Sequence, residues 1–300
     1  MTRALLITNP AAARTAHDTL AEVARILQQG GWSVEAHVTG GAGDARRFAE
    51  QAVEEDYEVV AVFGGDGTTM QAAAALVGTE TRLGIIPGGT GNLLAGNLRI
   101  PASPAQAARA LLRGRPRPID LGRMERSDGL HYFAVACGAG YDARVMAETA
   151  GLEKRRWGMA AYVATMFRLL PELKSVRQLI TVDGIERETT ASMVLVANCR
   201  EVIPPYFKLR SSISPSDGRL DLLTLRADSL LDSVRAVWDL LRERDHFDGE
   251  PGYVGYARGE EIRVESDPAQ PVQMDGEAAG QTPFTVNVVP GAITVMAPTA

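Results

Sequence analysis

Two glycine-rich segments of the sequence have the composition and the placement expected of a phosphate-binding site. Each follows a short apolar run directly: Val59–Phe63 precedes Gly64–Thr68, and Leu83–Ile86 precedes Pro87–Asn92. Unbroken apolar runs of this length are typical of strands that are buried on both faces. Backbone N–H groups at the start of a helix bind phosphate, and glycine lets a polyphosphate approach the backbone closely. The two segments therefore predict binding of a phosphorylated ligand.

Asp66 lies inside the first glycine segment. A carboxylate repels bare phosphate but suits a phosphate group that carries Mg²⁺. Asp–Gly is also ordinary turn chemistry, so this segment alone leaves a plain strand-to-helix turn open. The second glycine segment disfavours that alternative, because neighbouring parallel strands would carry both segments at the sheet edge where α/β proteins bind ligands. Neither segment matches the lysine-containing phosphate loop or the dinucleotide fingerprint.

The two segments, GGDGT at residues 64–68 and PGGTGN at residues 87–92, together resemble the diacylglycerol kinase catalytic domain family. Members of this family are bacterial lipid kinases related to sphingosine and ceramide kinases. GGDGT alone is shared with NAD kinases and, more loosely, with phosphofructokinases, whereas PGGTGN favours the lipid kinases. The resemblance implies that the protein uses ATP and Mg²⁺, and that Asp66 takes part in catalysis through Mg²⁺.

The resemblance also implies a set of nucleotide contacts. Asn9 lies in the Asn–Pro loop after the first strand, and Thr39 ends the second strand. On the residues alone, Thr39 is only a neighbour of a helix cap. The full implied set is Asn9, Thr39, Gly64, Gly65, Asp66, Gly67, Thr68, Thr90, Gly91, Asn92 and Glu277.

Two later segments resemble family motifs that concern the lipid acceptor. GAGYDA, at residues 138–143, resembles a segment whose acid holds the substrate headgroup, which implies substrate binding by Asp142; helix capping is the alternative. QMDGE, at residues 273–277, resembles a segment whose aspartate is the general base, which implies that role for Asp275. As bare sequence it is a strand followed by an Asp–Gly turn. A lipid hydroxyl that attacks a γ-phosphoryl group needs a carboxylate within hydrogen-bond reach to take its proton.

A further segment, from Asp217 to Asp221, resembles a turn that binds a structural Mg²⁺ in some family members. Asp217 and the Leu220 carbonyl are the matching metal ligands. Ser216 stands where some members have another acid, and a plain hairpin turn is the alternative.

The order of predicted elements indicates two domains of different class. Apolar strands alternate with helices in the first part of the chain, which predicts a three-layer α/β domain over residues 1–121. The family resemblance implies that this domain is of the NAD kinase and phosphofructokinase type and that it is the nucleotide-binding, catalytic one. The helix after the first glycine segment is predicted to begin at Thr69. Gly114–Pro118 is predicted to be a linker.

Strands dominate the second part of the chain, among them His131–Cys137 and Thr189–Asn198. They alternate with turns, which predicts an antiparallel β-sandwich substrate domain over residues 122–289. The resemblance implies that residues 290–300 pack back on the first domain. Cys137 and Cys199 lie in apolar strand-like runs and are predicted to be buried free thiols.

Composition limits the partners and the location. The 300 residues include 31 basic and 37 acidic ones, and the resulting net charge of −6 argues against nucleic acid as a partner. With no signal peptide and no apolar run that could cross a bilayer, the protein is expected in the cytoplasm, with transient visits to a membrane surface. Lys154–Trp157, before an apolar helical stretch, fits a membrane contact, although core packing of that stretch is the simpler interpretation. The expected partners are a lipid at a membrane surface and a second copy of the chain.

The function that these observations predict is ATP-dependent phosphorylation of a lipid hydroxyl. Diacylglycerol, giving phosphatidic acid, is the first choice of acceptor. Leu93 after Asn92 departs from many diacylglycerol kinases, which keeps a sphingosine- or ceramide-type acceptor open. NAD kinase, from GGDGT alone, and a non-catalytic nucleotide- or lipid-binding regulator are the remaining alternatives.

Overall fold

A computed structural model describes residues 1–12, 15–148, 165, 168–169, 174–203, 207–241 and 252–298. The chain forms two compact units. The first comprises Met1–Asp120 and the C-terminal segment from Gly291, and the second comprises Leu121–Val202 and Phe207–Pro290. The segment Lys154–Trp157, considered above as a membrane contact, lies outside the described residues.

The first unit alternates strands and helices around a parallel sheet. Its strand order is β2-β1-β3-β4, and residue 295 of the last strand of the chain adds a parallel pairing to β4. The elements are β1 (Arg3–Thr8), α1 (His17–Gln29), β2 (Ser33–Val38), α2 (Asp44–Glu54), β3 (Val59–Gly64), α3 (Asp66–Ala75), β4 (Arg82–Pro87), α4 (Leu93–Asn97), α5 (Pro104–Arg113) and the start of β5 (Arg115–Arg126).

Helices cover both faces of this sheet. α1 packs against α5, and α2 packs against α3. The step from β1 to β2 and the step from β3 to β4 run in opposite directions along the sheet, so right-handed crossovers place α1 and α3 on opposite faces. All six residues of β3 are buried, as expected of a central strand between two helical layers. The predicted α/β fold is confirmed.

The second unit is built from antiparallel strands. It contains the rest of β5, β6 (Gly129–Phe133), β7 (Ala136–Gly140), α6 (Tyr141–Glu148), β8 (Val176–Val182), β9 (Ile185–Ala191), β10 (Met193–Ala197), β11 (Glu201–Ile203), β12 (Phe207–Lys208), β13 (Leu220–Leu225), α7 (Leu230–Leu241), β14 (Val254–Gly259), β15 (Glu261–Asp267), β16 (Pro271–Met274), β17 (Glu277–Gln281) and the first half of β18 (Phe284–Ala297).

Two sheets of the second unit share one core. One has the order β14-β13-β10-β7-β16-β17, and the other includes β18-β15-β8-β9. Residues from both sheets meet in a single buried cluster that includes Val194 and Leu222 from the first sheet and Ile180 and Val264 from the second. This is the antiparallel sandwich that the sequence predicted.

Three local predictions are wrong. Residues 115–118 belong to β5 and do not form a linker. Pro116 and Pro118 are two residues apart, so both missing N–H groups fall on the same edge of the strand, which limits the loss of pairing. His131–Cys137 is two strands separated at Ala134 and Val135, and Thr189–Asn198 is two strands separated at Ser192.

Among the described residues, no helix combines the length and the apolar character needed to span a bilayer.

Candidate active site

The first glycine segment forms the end of β3 and the start of α3. Gly65 is the N-cap, and the helix begins at Asp66, three residues earlier than predicted. Gly67 and Thr68 therefore lie in the first helical turn. Its backbone N–H groups lack partners inside the helix, and together with the helix dipole they favour an anion.

The second glycine segment is fastened to the first by hydrogen bonds. The Gly88 N–H donates to the Gly64 carbonyl (2.8 Å), and the Leu93 N–H donates to Asp66 Oδ1 (2.6 Å). Asn92, at a φ of 51°, accepts from the Gly89 N–H (3.0 Å) and donates to the Gly89 carbonyl (2.7 Å). The two predicted phosphate-binding segments thus form one connected unit.

Asp66 is the carboxylate of this unit. One of its oxygens holds Leu93, and the other lies beside Gly91. Burial raises the pKa of Asp66, while hydrogen bonds from the backbone N–H groups of Leu93, Asn92 and Leu94 oppose that shift. Asp66 is the one carboxylate in residues 64–68 and 87–92, and a single carboxylate with phosphate oxygens is ordinary chemistry for Mg²⁺. The residues present therefore fit a Mg²⁺-bound polyphosphate.

A cavity of about 300 Å³ adjoins the start of α3. Asn9, Thr39 and Thr68 all line it, so the structure brings these three predicted contacts together. Asn9 Nδ2 donates to Thr68 Oγ1 (3.0 Å), which ties the loop after β1 to α3.

Two residues that shape this cavity were missed by the sequence analysis. Asp44 Oδ2 accepts the N–H groups of Gly40 (2.8 Å) and Gly41 (2.9 Å), and Gln71 Oε1 accepts from Gly43 (3.2 Å). A hydrogen bond from Arg47 and those two N–H groups lower the pKa of Asp44. An acid in the first turn of a predicted helix is a recognised signal of a helix start, and it could have identified Asp44.

Asp275 occupies the turn between β16 and β17 in the second unit. Its φ is +47°, and its carboxylate accepts three backbone N–H groups, from Ala134 (2.7 Å), Val135 (2.9 Å) and Ala136 (2.9 Å). A carboxylate has about four lone-pair sites, so these contacts take up three of them. Asp275 therefore holds the bend between β6 and β7.

Asp142 and Glu277 lie close to this turn in the fold. Asp142, in the first turn of α6, accepts a hydrogen bond from Gln273 Nε2 (2.6 Å). Glu277 is exposed at the start of β17, and no residue in the described part of the chain hydrogen-bonds its side chain. Cys137 is completely buried nearby; burial raises the pKa of its thiol, and the charges of Asp275 and Asp142 raise it further. Cys137 and Cys199 are buried and free, as predicted.

The predicted structural metal site lies at the start of β13, which β10 and β7 separate from β16 in the same sheet. The Asp217 carboxylate contacts the guanidinium of Arg258, whose Nε lies 3.7 Å from Asp221 Oδ1. Within the ranges that the structure describes, no group of three or more Asp, Glu, His or Cys residues could hold a metal. A guanidinium at this turn and so few acidic ligands do not fit a divalent cation, and the site at Asp217 and Leu220 stays a prediction.

Comparisons with known proteins agree with this architecture. Residues 3–124 match the diacylglycerol kinase catalytic domain, and residues 135–297 match the YegS C-terminal NAD kinase beta sandwich-like domain. A diacylglycerol kinase of Mycobacterium tuberculosis (strain ATCC 25618 / H37Rv) is 31% identical over 97% of this chain and 94% of that protein. A diacylglycerol kinase of Bacillus subtilis (strain 168) is 29% identical over 94% of this chain and 92% of that protein.

A solved structure shares the fold. The crystal structure of a diacylglycerol kinase from Bacillus anthracis str. Sterne has a TM-score of 0.73 at 21% identity, over 98% of this chain and 96% of that one. The match to a kinase catalytic domain, followed by the match to a NAD kinase beta sandwich-like domain, defines the class of the protein as a kinase. The chain belongs to the diacylglycerol kinase family, and it is a lipid kinase.

Proposed function

We propose that this lipid kinase transfers the γ-phosphoryl group of Mg·ATP to the free hydroxyl of diacylglycerol, giving phosphatidic acid. The observation that carries the proposal is the pair of glycine segments that Asp66 fastens together at the start of α3. The names of the relatives in Mycobacterium tuberculosis and Bacillus subtilis support diacylglycerol as the acceptor.

The first unit binds the nucleotide in this proposal. The phosphates of the nucleotide lie against the N–H groups of Gly65–Thr68 and against Thr90–Asn92, where the helix dipole favours negative charge. Asn9 and Thr39 contact the nucleotide from the cavity. Asp66 supplies an oxygen to Mg²⁺, which neutralises charge on the transferred group. These residues bind and position, and that is most of what a protein contributes to phosphoryl transfer.

The second unit serves the acceptor. A carboxylate of the 275–277 turn takes the proton of the lipid hydroxyl. The hydroxyl oxygen forms a bond to the γ-phosphorus, and the bond between the γ-phosphorus and the ADP oxygen breaks. The family resemblance gave this role to Asp275. Its contacts favour a division of roles, because three N–H groups already bind Asp275 whereas Glu277 is exposed. We assign proton abstraction to Glu277, the holding of the turn to Asp275, and the headgroup contact to Asp142.

Two variants separate these roles. Glu277→Gln should retain the wild-type melting temperature and ATP affinity and lose most of kcat, by on the order of 10²–10⁴-fold. Asp275→Asn replaces an acceptor-only group with one that also carries N–H donors, so the protein should lose roughly 1–3 kcal/mol of stability. A folded Asp275→Asn protein with wild-type stability and no turnover, beside an active Glu277→Gln protein, would return the general base to Asp275.

The substrate is tested by transfer of labelled γ-phosphate from Mg·ATP to mixed micelles of diacylglycerol, ceramide or sphingosine, with NAD⁺ in a parallel reaction. Labelled phosphatidic acid is the expected product. Labelled sphingoid or ceramide phosphate would refute diacylglycerol as the acceptor and support the sphingosine- or ceramide-type acceptor that Leu93 after Asn92 keeps open. Labelled NADP⁺ alone, or no product, would refute the lipid kinase assignment.

We further propose that the protein works in the cytoplasm and contacts the membrane surface transiently to reach its lipid. Flotation with vesicles that contain diacylglycerol, compared with vesicles that lack it, tests this contact. The predicted homodimer is tested by sedimentation velocity on the full chain.

A further inference from the structure

Gln273 uses both ends of its side-chain amide in the interior of the second unit. The residue lies on β16 and is only 4% exposed. Its Nε2 donates to Asp142 Oδ2 (2.6 Å), and its Oε1 accepts from the Gly276 N–H (2.8 Å). One buried side chain therefore joins the start of α6 to the turn between β16 and β17.

The contact with Asp142 is short and charge-assisted. A neutral donor at 2.6 Å from a carboxylate oxygen stabilises the position of that carboxylate without cancelling its charge. Space for the contact comes from Gly138, which pairs with Gln273 across the strands: a Cβ at residue 138 would lie 3.1 Å from Asp142 Oδ2. The missing side chain at Gly138 thus leaves room for the Asp142 carboxylate beside Gln273.

The contact with Gly276 fixes the turn. Asp275 and Gly276 both have positive φ, as in the two-residue turn that Asp–Gly pairs favour between antiparallel strands, and hydrogen bonds fix how this turn lies against the rest of the unit. Asp275 supplies three through its carboxylate and one through its N–H, which donates to the Ala136 carbonyl (2.9 Å). Gln273 supplies a contact to the N–H of Gly276, the residue directly before Glu277.

We propose that Gln273 is a positioning residue that couples Asp142, the headgroup contact, to the turn that carries Glu277, the proton acceptor. The proposal rests on the proposed function. An amide is suited to this place because it offers a donor to the carboxylate and an acceptor to the N–H at opposite sides of one planar group. Neither a carboxylate nor an ammonium group offers both at neutral pH.

Gln273→Glu tests the coupling with almost no change in shape. The new carboxylate still accepts from Gly276 but faces Asp142 as a like charge. At pH 8, kcat for the lipid should fall roughly 10- to 100-fold, the effect of misplacing reacting groups by about 1 Å, with KM for ATP unchanged. Near pH 6 the ratio of variant to wild-type kcat should recover, because two facing carboxylates share a proton that restores the hydrogen bond.

A matched control is Gln178→Glu. Gln178 is also a buried glutamine of the second unit (1% exposed), and its amide contacts Ala191 and Ser266 and neither Asp142 nor the turn. This variant loses stability from a buried carboxylate but leaves the contacts of Asp142 and of the turn unchanged. Its kcat per folded molecule should therefore match that of the wild type across the pH range.

The decisive background is Asp142→Asn, whose amide can donate to a carboxylate at residue 273. In this background Gln273→Glu should cause no further loss of kcat. The ratio of kcat with and without the substitution should also be the same near pH 6 as at pH 8. An equal loss and the same pH profile in both backgrounds would overturn the coupling. Wild-type activity of Asp142→Asn and Glu277→Gln would instead refute the proposed acceptor site itself. This result is distinct from the one that refutes only the coupling by Gln273.

Discussion

The close approach of the two glycine segments makes Gly89 the most sensitive position of the proposed nucleotide-binding edge. A Cβ at residue 89 would lie 2.7 Å from the Gly65 Cα, and ordinary van der Waals contact begins at 3.4 Å. Gly65 is backbone at the N-cap of α3, so no side-chain rotation can relieve the overlap. In Gly89→Ala the two segments must move apart by about 0.7 Å, the difference between these distances.

This displacement has two measurable effects. Overpacking of a tight contact costs roughly 1–3 kcal/mol, which should lower the free energy of unfolding in urea. A shift approaching 1 Å in a phosphate-binding backbone should reduce kcat/KM for ATP by on the order of 10²-fold. Calorimetric titration with ATP in the presence of Mg²⁺, together with initial rates, measures both binding and turnover.

Gly65→Ala is the matched control for stability. The same methyl group, added to the facing segment, would lie 3.5 Å from the Gly89 Cα, which is ordinary contact. Its cost should stay within about 1 kcal/mol, the cost of a poorer N-cap residue. If Gly89→Ala equals the wild type in unfolding free energy and ATP affinity, the two segments do not pack as described.

Two further substitutions test charged groups outside the acceptor site. Asp66→Asn keeps an acceptor for the Leu93 N–H and removes the charge, so turnover should fall on the order of 10²-fold or more. Because burial raises the pKa of Asp66, ionisation penalises folding above its ordinary value of 3.8, and the variant lacks this penalty. From pH 3 to pH 7 the melting temperature of the variant should therefore rise relative to that of the wild type, and an unchanged or falling difference would contradict this. Arg258→Gln removes the stronger of two cations that act on the fully buried Asp221, Arg210 being the other, and should cost roughly 2–4 kcal/mol by urea unfolding. EDTA should leave the wild-type melting temperature unchanged, and a drop of several degrees would show a metal at Asp217 after all.

Local sequence patterns predicted the order of the helices and strands. They did not predict the places where hydrogen bonds from residues far away in the sequence decide the structure. The apolar run at Val59–Phe63 predicted β3, because a strand that is buried on both faces has apolar residues throughout. The alanine-rich stretch after the glycine segment predicts a helix that begins at Thr69. The helix begins at Asp66 since the first turn carries N–H groups that need no partner inside the helix.

The contacts of the site residues could not be read from their motifs. Ala134 and Val135 continue an apolar run, and the strand breaks there because their N–H groups donate to Asp275, 141 and 140 residues away in sequence. Gln273 and Asp142 are 131 residues apart. A motif indicates which residue types are present, whereas long-range hydrogen bonds decide which carboxylate is held by the backbone.

The path of β18 has a consequence for the order in which the protein can fold during synthesis. Val295 pairs with Leu83 of β4, and the Gly78 N–H donates to the Ala292 carbonyl (3.0 Å), so the first unit receives a strand that is translated after the whole second unit. Until residues 291–297 leave the ribosome, β4 presents an open edge to other nascent chains. A chain stopped before Gly291 would therefore be defective in its first unit and prone to aggregate through that edge.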